Sequence, residues 1–197
     1  MTRQYEDTET RRRQVAEAAL RTIAEEGVAR FTTRAVAGRV GISDGTLFRH
    51  FGSKQEIVLE AMNLLEVEIE AGFVSTGDPL DDLEAFYRHR AALVGAEGSV
   101  GRLIFSDGLV HLAGETGRGR IVQWRLRSMS YLADRFGPLI EEGRVKPDVD
   151  AQALIMFLQG SLLTFALRAS SGWAESESDL SARIDHAWAA LQTTLFV

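Results

Sequence analysis

Four polar side chains, Asp44, Thr46, Arg49 and His50, fall within seven residues and mix hydrogen-bond donors with acceptors. Base-pair edges in a DNA major groove present such a mixture, so this set is suited to reading a base sequence. Other chemistry finds less support. The 197-residue chain has no cysteine, which excludes disulfides, thiol nucleophiles and thiolate metal sites. His111 and Glu115 stand four apart, a metal-compatible spacing on one helix, but no third ligand accompanies them. The stretch from Gly114 to Arg120 is glycine-rich, yet it lacks a preceding strand and the residue order of a phosphate loop, so it reads as a flexible loop. No nucleophile–base pair is visible, and no enzyme is expected.

The elements that must position the polar set follow from periodicity and capping. Strand-like alternation is scarce and prolines occur only at 79, 138 and 147, so the chain reads as all-α, with about nine helices. Val15, Ala19 and Ile23, flanked by Ala16 and Leu20, give the helix over about 10–26 one apolar face. A short helix at about 33–40 follows, with Thr32 as N-cap. Gly41 supplies a turn, and Ser43 caps a third helix through Phe51. Val36, Ala37, Val40, Ile42, Leu47 and Phe51 would fix the angle between these helices and leave the polar set outward. This is the arrangement of a helix-turn-helix. Ser53 and Glu56 have capping-box spacing and open a connecting helix over 53–72. Further helices are expected at about 80–94, 99–113, 118–143 (with a kink at Gly137–Pro138), 150–170 and 179–195. The domain division expected is 1–55 for the helix-turn-helix and 73–197 for the remainder.

Charge agrees once the chain is divided. The whole carries −6, but residues 1–55 hold ten Arg/Lys against seven Asp/Glu, and the rest hold twelve against twenty-one. A basic head on an acidic body suits one DNA-facing end. Arg11, Arg12 and Arg13 in the first turn of a helix oppose its dipole. Contact with phosphate by this cluster and Arg3 is one compensation, and simple solvation is the other. No run of 18 apolar residues occurs, which speaks against a membrane span, and residues 1–7 lack the apolar stretch of a secretory signal. A cytoplasmic location is expected.

The string from Thr32 to Lys54, TTRAVAGRVGISDGTLFRHFGSK, resembles the signature of the tetracycline-repressor (TetR) family, and the likeness extends over roughly residues 8–65. It implies a repressor of double-stranded operator DNA. The DNA-binding residues it implies are Thr33, Arg34, Ser43, Asp44, Gly45, Thr46, Phe48, Arg49, His50 and Lys54. Arg34 would read a base, through the bidentate fit of guanidinium to guanine. Thr33 would bond phosphate, Asp44, Gly45, Thr46 and Arg49 would lie against base edges, and Phe48 and His50 would meet the sugar-phosphate backbone. Lys54 would clamp a phosphate at the start of the fourth helix. Phe48 replaces a common tyrosine and so loses a hydroxyl-to-phosphate bond. Asp44 replaces a common Lys or Gln and can accept from cytosine N4.

A helix-turn-helix monomer covers few base pairs, so a homodimer is expected. Leu180, Ile184, Trp188, Leu191 and Leu195 form a stripe along the final helix, and Leu154, Ile155, Phe157, Leu158, Leu162, Leu163 and Phe165 surround the one before it. The expected seam comprises Leu154, Phe157, Leu158, Leu180, Ile184, Trp188 and Leu191, with an intrachain core as the alternative. Between these regions, Phe86, Tyr87, Phe105, His111, Leu112, Trp124, Met129, Tyr131 and Phe165 fit either a small-molecule pocket or ordinary core. Arg127 and His89 are candidate partners for an anionic ligand. The ligand-binding set expected is Phe86, Phe105, His111, Trp124, Arg127, Met129 and Phe165. No cofactor or metal is expected beyond an unidentified small-molecule effector. A helical enzyme and a DNA-independent interaction protein are the competing readings; neither predicts salt-dependent retention on duplex DNA.

Overall fold

The computed structural model describes residues 8–96, 103, 107–170 and 176–197. Its ordered elements are helical: α1 (Thr8–Glu26), a single 3-10 turn (Val28–Arg30), α2 (Thr33–Val40), α3 (Asp44–His50), α4 (Lys54–Glu70), α5 (Pro79–Gly95), α6 (Asp107–Glu141), α7 (Ala151–Ser170) and α8 (Glu177–Leu195). The all-α architecture is therefore as expected, with eight α-helices among the described residues instead of nine.

The difference lies in α6. The expected separate helices at 99–113 and 118–143 run together through 107–141, and the expected loop at 114–120 is helical apart from one residue. Gly114, at φ 64° and ψ −163°, makes the break alone. Only glycine takes up such a conformation without strain, so the axis changes direction at one residue and the helix resumes at the next. Pro138 sits near the end of α6 without a comparable break. His111 and Glu115 consequently flank the break, and their i,i+4 register is lost. Residues 99–102 and 104–106 lie outside the described residues.

Capping sets most of the starts. Side chains of Thr32, Ser43, Ser53, Asp78 and Ser176 accept from backbone N–H groups in the first turns of α2, α3, α4, α5 and α8. Each such cap stabilises its helix by about 1 kcal/mol. The first three are the caps expected from sequence.

Two apolar cores result. The first joins α1, α2, α3 and α4 to Leu103 and to the early part of α6, through Leu109, Ala113, Ile121 and Trp124. The second joins α5, the later part of α6, α7 and α8, through Leu83, Tyr87, Leu132, Phe136, Leu158, Phe165 and Trp188. Helix α6 is common to both. The chain end is tied back where Lys146 N–H donates to Leu195 (3.0 Å) and Val197 N–H donates to Arg144 (2.9 Å).

By length and composition α7 is apolar enough to cross a membrane, although polar residues such as Gln159 and Thr164 interrupt its apolar run. Its inward residues Leu154, Leu158, Leu162, Phe165 and Ala166 are packed in the second core, while Phe157, Met156, Leu163 and Leu167 remain open.

Candidate nucleic-acid interface and cavity

The helix-turn-helix is assembled from short-range signals. Thr32 Oγ1 accepts from Ala35 N–H (3.1 Å) to start α2. Gly41 ends it with a left-handed conformation, φ 74° and ψ 31°, and its N–H bonds back to Ala37 and Gly38. Ser43 Oγ then accepts from Thr46 N–H (3.1 Å) to start α3. Val36, Ala37, Leu47 and Phe51 are buried and set the angle between α2 and α3.

The polar residues face outward. Arg34, Ser43, Gly45, Phe48 and Arg49 are exposed, and Thr33, Asp44, Thr46 and His50 are partly so. Arg49 Nη2 donates to Thr46 Oγ1 (3.1 Å), and Thr46 Oγ1 lies 3.0 Å from Ser43 Oγ, so three of these side chains form a linked row on α3. Arg34 has no hydrogen-bond or ion-pair partner among the described residues. Phe48 is 48% exposed, a large apolar ring with little of its own chain to cover it. Asp44 Oδ1 is shielded from solvent and unpartnered among the described residues, leaving a strong acceptor unsatisfied at the helix start.

Two of the nearby cations are committed to the fold instead. Arg12 bridges α1 to α4 through Glu56 (3.0 Å) and Glu60 (3.2 Å), donates to the His50 carbonyl, and lies over the Phe51 ring (4.3 Å). Burial lowers its pKa, but Glu56 and Glu60 outweigh this and raise it. Arg13 pairs with Glu17. Because α1 starts at Thr8, with Glu9 in its first turn, Arg12 and Arg13 lie one turn further in than expected and are compensated within the chain; Arg3 lies outside the described residues. Lys54 Nζ donates to the Phe31 carbonyl (2.7 Å) and sits over that residue's ring (4.8 Å), so its charge is tethered beside the motif.

Below the helix-turn-helix, a cavity of about 570 Å³ opens between α4, α5, α6 and α7. Ile69, Phe86, Val94, Ile121, Trp124, Leu132, Met156 and Leu163 provide its apolar walls, and Arg90, Arg125, Ser128 and Gln159 its polar groups. The volume and lining are those of a small-molecule site. Its α6 wall is bound to α4 by a series of contacts. Gln55 Nε2 donates to Ala113 (2.9 Å), and Arg120 donates to the Leu59 carbonyl (3.1 Å) and pairs with Glu66. Arg127 pairs with Glu66 and Glu70. Burial disfavours the Glu66 carboxylate, yet Arg120 and Arg127 hold it below the usual range.

Comparison with known proteins agrees with this geometry. Residues 15–61 match the family model for bacterial regulatory proteins of the tetR family, which spans α1 to the first half of α4. The stretch that carries the helix-turn-helix is thus similar to the DNA-binding region of the tetR family. The chain is a DNA-binding transcriptional regulator. Over 162 residues it is 28% identical to the HTH-type transcriptional repressor KstR2 of Mycobacterium tuberculosis, covering 76% of each chain. The solved structure of the ketosteroid transcriptional regulator KstR2 superimposes with a TM-score of 0.77 at 22% identity, over 98% of this chain and 97% of that one. AibR, solved with isovaleryl coenzyme A and operator DNA, superimposes with a TM-score of 0.75 at 21% identity, over 94% of this chain and 98% of that one.

In this regulator the expected ligand set is only partly assembled. Phe86, Trp124 and Met129 line the cavity. Phe165 does not, because it packs edge-on to Tyr87 in the second core (6.5 Å). His111 is exposed beside the Gly114 break, and Arg127 turns away to Glu66 and Glu70; neither lines the cavity. Phe105 lies outside the described residues. Among the alternative candidates, Tyr131 donates to the Val74 carbonyl (2.9 Å), and His89 bonds the Glu68 carbonyl (2.7 Å). Arg90, one residue from His89, was not singled out by sequence. Nothing in the pattern marks it, since it stands in a basic run, Arg88-His89-Arg90, that reads as a solvated face.

The expected seam residues divide similarly. Leu154, Leu158, Ile184 and Trp188 are buried within the chain, Trp188 against Tyr87 (5.5 Å), and Leu180 and Leu191 pack partly onto the same core. The four buried side chains are covered within their own chain, while Leu180 and Leu191 keep part of their surface open. Phe157 alone of the seven is open, at 56% exposure.

Proposed function

We propose that this regulator is a homodimeric repressor whose grip on a palindromic operator is released when a small molecule enters the second helical region. One observation carries the reading: the cavity's α6 wall is fastened along its length to α4, and α4 begins at Lys54, immediately after the recognition helix α3. A ligand that displaces α6 would therefore shift α4 and alter the separation of two α3 helices meant for successive major grooves. Coupling of this kind is reciprocal, so operator would weaken ligand binding by the same factor. The repressor KstR2 and the ligand- and DNA-bound AibR support this reading as relatives of the same architecture.

The proposed domains are 1–55 for DNA binding, with the connecting helix over 53–72, and 73–197 for ligand and dimerisation. Proposed DNA contacts are Arg34, Thr33, Gly45, Phe48, the Ser43–Thr46–Arg49 row, Asp44 and His50, with Lys54 contributing from the start of α4. For dimerisation the open face of α7 around Phe157 and Leu167 is the supported surface, alongside the exposed side of α8. The protein would act in the cytoplasm. Selecting duplexes from a random pool with the purified protein should yield a palindrome bound in a steeply salt-dependent way. Screening compounds against that complex should find ones that release it. Simultaneous binding of a cavity ligand and operator with no mutual effect would overturn the mechanism.

A further inference from the structure

Arg90 is a cation placed where few are found. It is 5% exposed, on the inner face of α5, and lines the cavity. Its Nη2 donates to the Ile69 carbonyl (2.9 Å) and lies 3.5 Å from Ser128 Oγ, both neutral acceptors. The guanidinium rests against the rings of Phe73 (5.4 Å) and Phe86 (5.1 Å). Its Nε is buried without a partner, and no carboxylate pairs with it among the described residues. Burial alone pulls its pKa down to about 10, so it stays charged at neutral pH without a compensating anion.

A buried guanidinium with aromatic neighbours and an unused N–H is an unfavourable arrangement for stability alone. It becomes favourable when an anion completes it, because charge-assisted bonds inside a low-dielectric site are the strong ones. The rest of the lining agrees. Arg125 stands exposed at the same cavity, Ser128 and Gln159 are neutral, and none of the lining residues is acidic. The remaining walls are aliphatic or aromatic. We infer that the cavity takes an amphipathic organic acid, its apolar body against Ile69, Phe86, Trp124 and Leu132 and its carboxylate on Arg90. This rests on the reading of the cavity as the effector site and adds the chemical class of the effector.

Arg90 also gives the acid a route to the DNA-binding end. Its present acceptor, Ile69, lies in the last turn of α4. A carboxylate drawing the guanidinium inward competes with that carbonyl and loosens the C-terminal anchor of the helix that starts at Lys54.

The test displaces Nile red, a neutral apolar dye, from the full-length protein without DNA, using straight-chain carboxylates of six to sixteen carbons, the matching alcohols, and octanoyl coenzyme A. Free acids should displace the dye about ten- to a hundredfold better than alcohols of equal length. Arg90→Gln should bring acids and alcohols of equal length to near parity, and Arg90→Lys should keep part of the preference. Equal displacement by acids and alcohols overturns the inference while leaving the cavity as an effector site. Displacement by the thioester alone, unaffected by Arg90→Gln, overturns it too. Failure of every compound to enter removes the effector-site reading along with it. The acid–alcohol comparison needs only the wild-type protein, so it decides even if Arg90→Gln does not fold.

Discussion

Gln55 and Ala113 join the two halves of the molecule: the Gln55 side-chain amide, in the first turn of α4, donates to the Ala113 carbonyl at 2.9 Å, one residue before the Gly114 break in α6. The break and the bond depend on each other. A Cβ at residue 114 would come within 2.8 Å of Gln55 Nε2, and the backbone there has φ +64°. Gly114→Ala should therefore destabilise the protein by about 1–3 kcal/mol, read from urea unfolding midpoints. In a Gln55→Ala background the collision disappears and only the backbone strain remains. The substitution should then cost less, and full additivity of the pair would show that the two residues are not coupled.

Arg12 and Arg34 should separate structure from DNA contact. Arg12 is engaged with Glu56, Glu60 and the His50 carbonyl, whereas Arg34 projects from α2 without a partner among the described residues. Arg34→Ala should leave thermal stability nearly unchanged and reduce the salt dependence of DNA retention by about one counterion per subunit. Arg12→Ala should lower stability by about 1–2 kcal/mol, through lost charged hydrogen bonds and packing on Phe51, and leave the salt slope in place. A steep loss of salt dependence in Arg12→Ala would return that residue to the phosphate-contacting set.

The legibility of these features in the sequence follows their range. Thr32, Ser43 and Ser53 were readable as caps because a cap is satisfied within three residues, and so the whole helix-turn-helix was readable. The apolar stripe through Ile184 and Trp188 was readable too, but not its partner. Periodicity identifies which face is apolar without saying whether α5 or another subunit covers it. Arg12 and Arg90 were beyond reach for a related reason. Their neighbours Glu60 and Ile69 lie far away in sequence, and only the packing of α4 against α1 and α5 brings them together. The run of glycines after Ala113 suggested a loop, yet a single residue absorbed the turn and α6 continued.

Asp78 should leave a signature in acid. Its carboxylate pairs with Arg144 (2.8 and 3.1 Å) and caps α5 through Leu80 and Asp81 N–H groups. The hydrogen bond from Arg144 is the main cause of a pKa lowered from 3.8 to about 2. A carboxyl held lower in the folded chain than in the unfolded one contributes stability that is present above pH 3.8 and lost as pH falls through about 2. Asp78→Asn should accordingly narrow the gap in stability between pH 5 and the acid limb, as followed by circular dichroism on acid titration. An unchanged acid limb would mean that the Asp78–Arg144 pair is not maintained in solution.

The open face of α7 should decide the oligomeric state. Phe157 and Leu167 are 56% and 58% exposed and do not line the cavity, so charging them should disturb neither the core nor ligand entry. If a second subunit covers this face, a carboxylate there must be buried against apolar surface, which is costly without a partner cation. Phe157→Glu combined with Leu167→Glu should weaken self-association by at least about a hundredfold in sedimentation equilibrium. Helix content should stay unchanged, because both side chains already meet solvent in the isolated chain. Affinity for a palindromic operator should fall with it while affinity for a half-site remains, since each subunit keeps its own α3. A variant that stays dimeric would place the seam elsewhere, on the exposed side of α8, and would leave the apolar face of α7 to another covering.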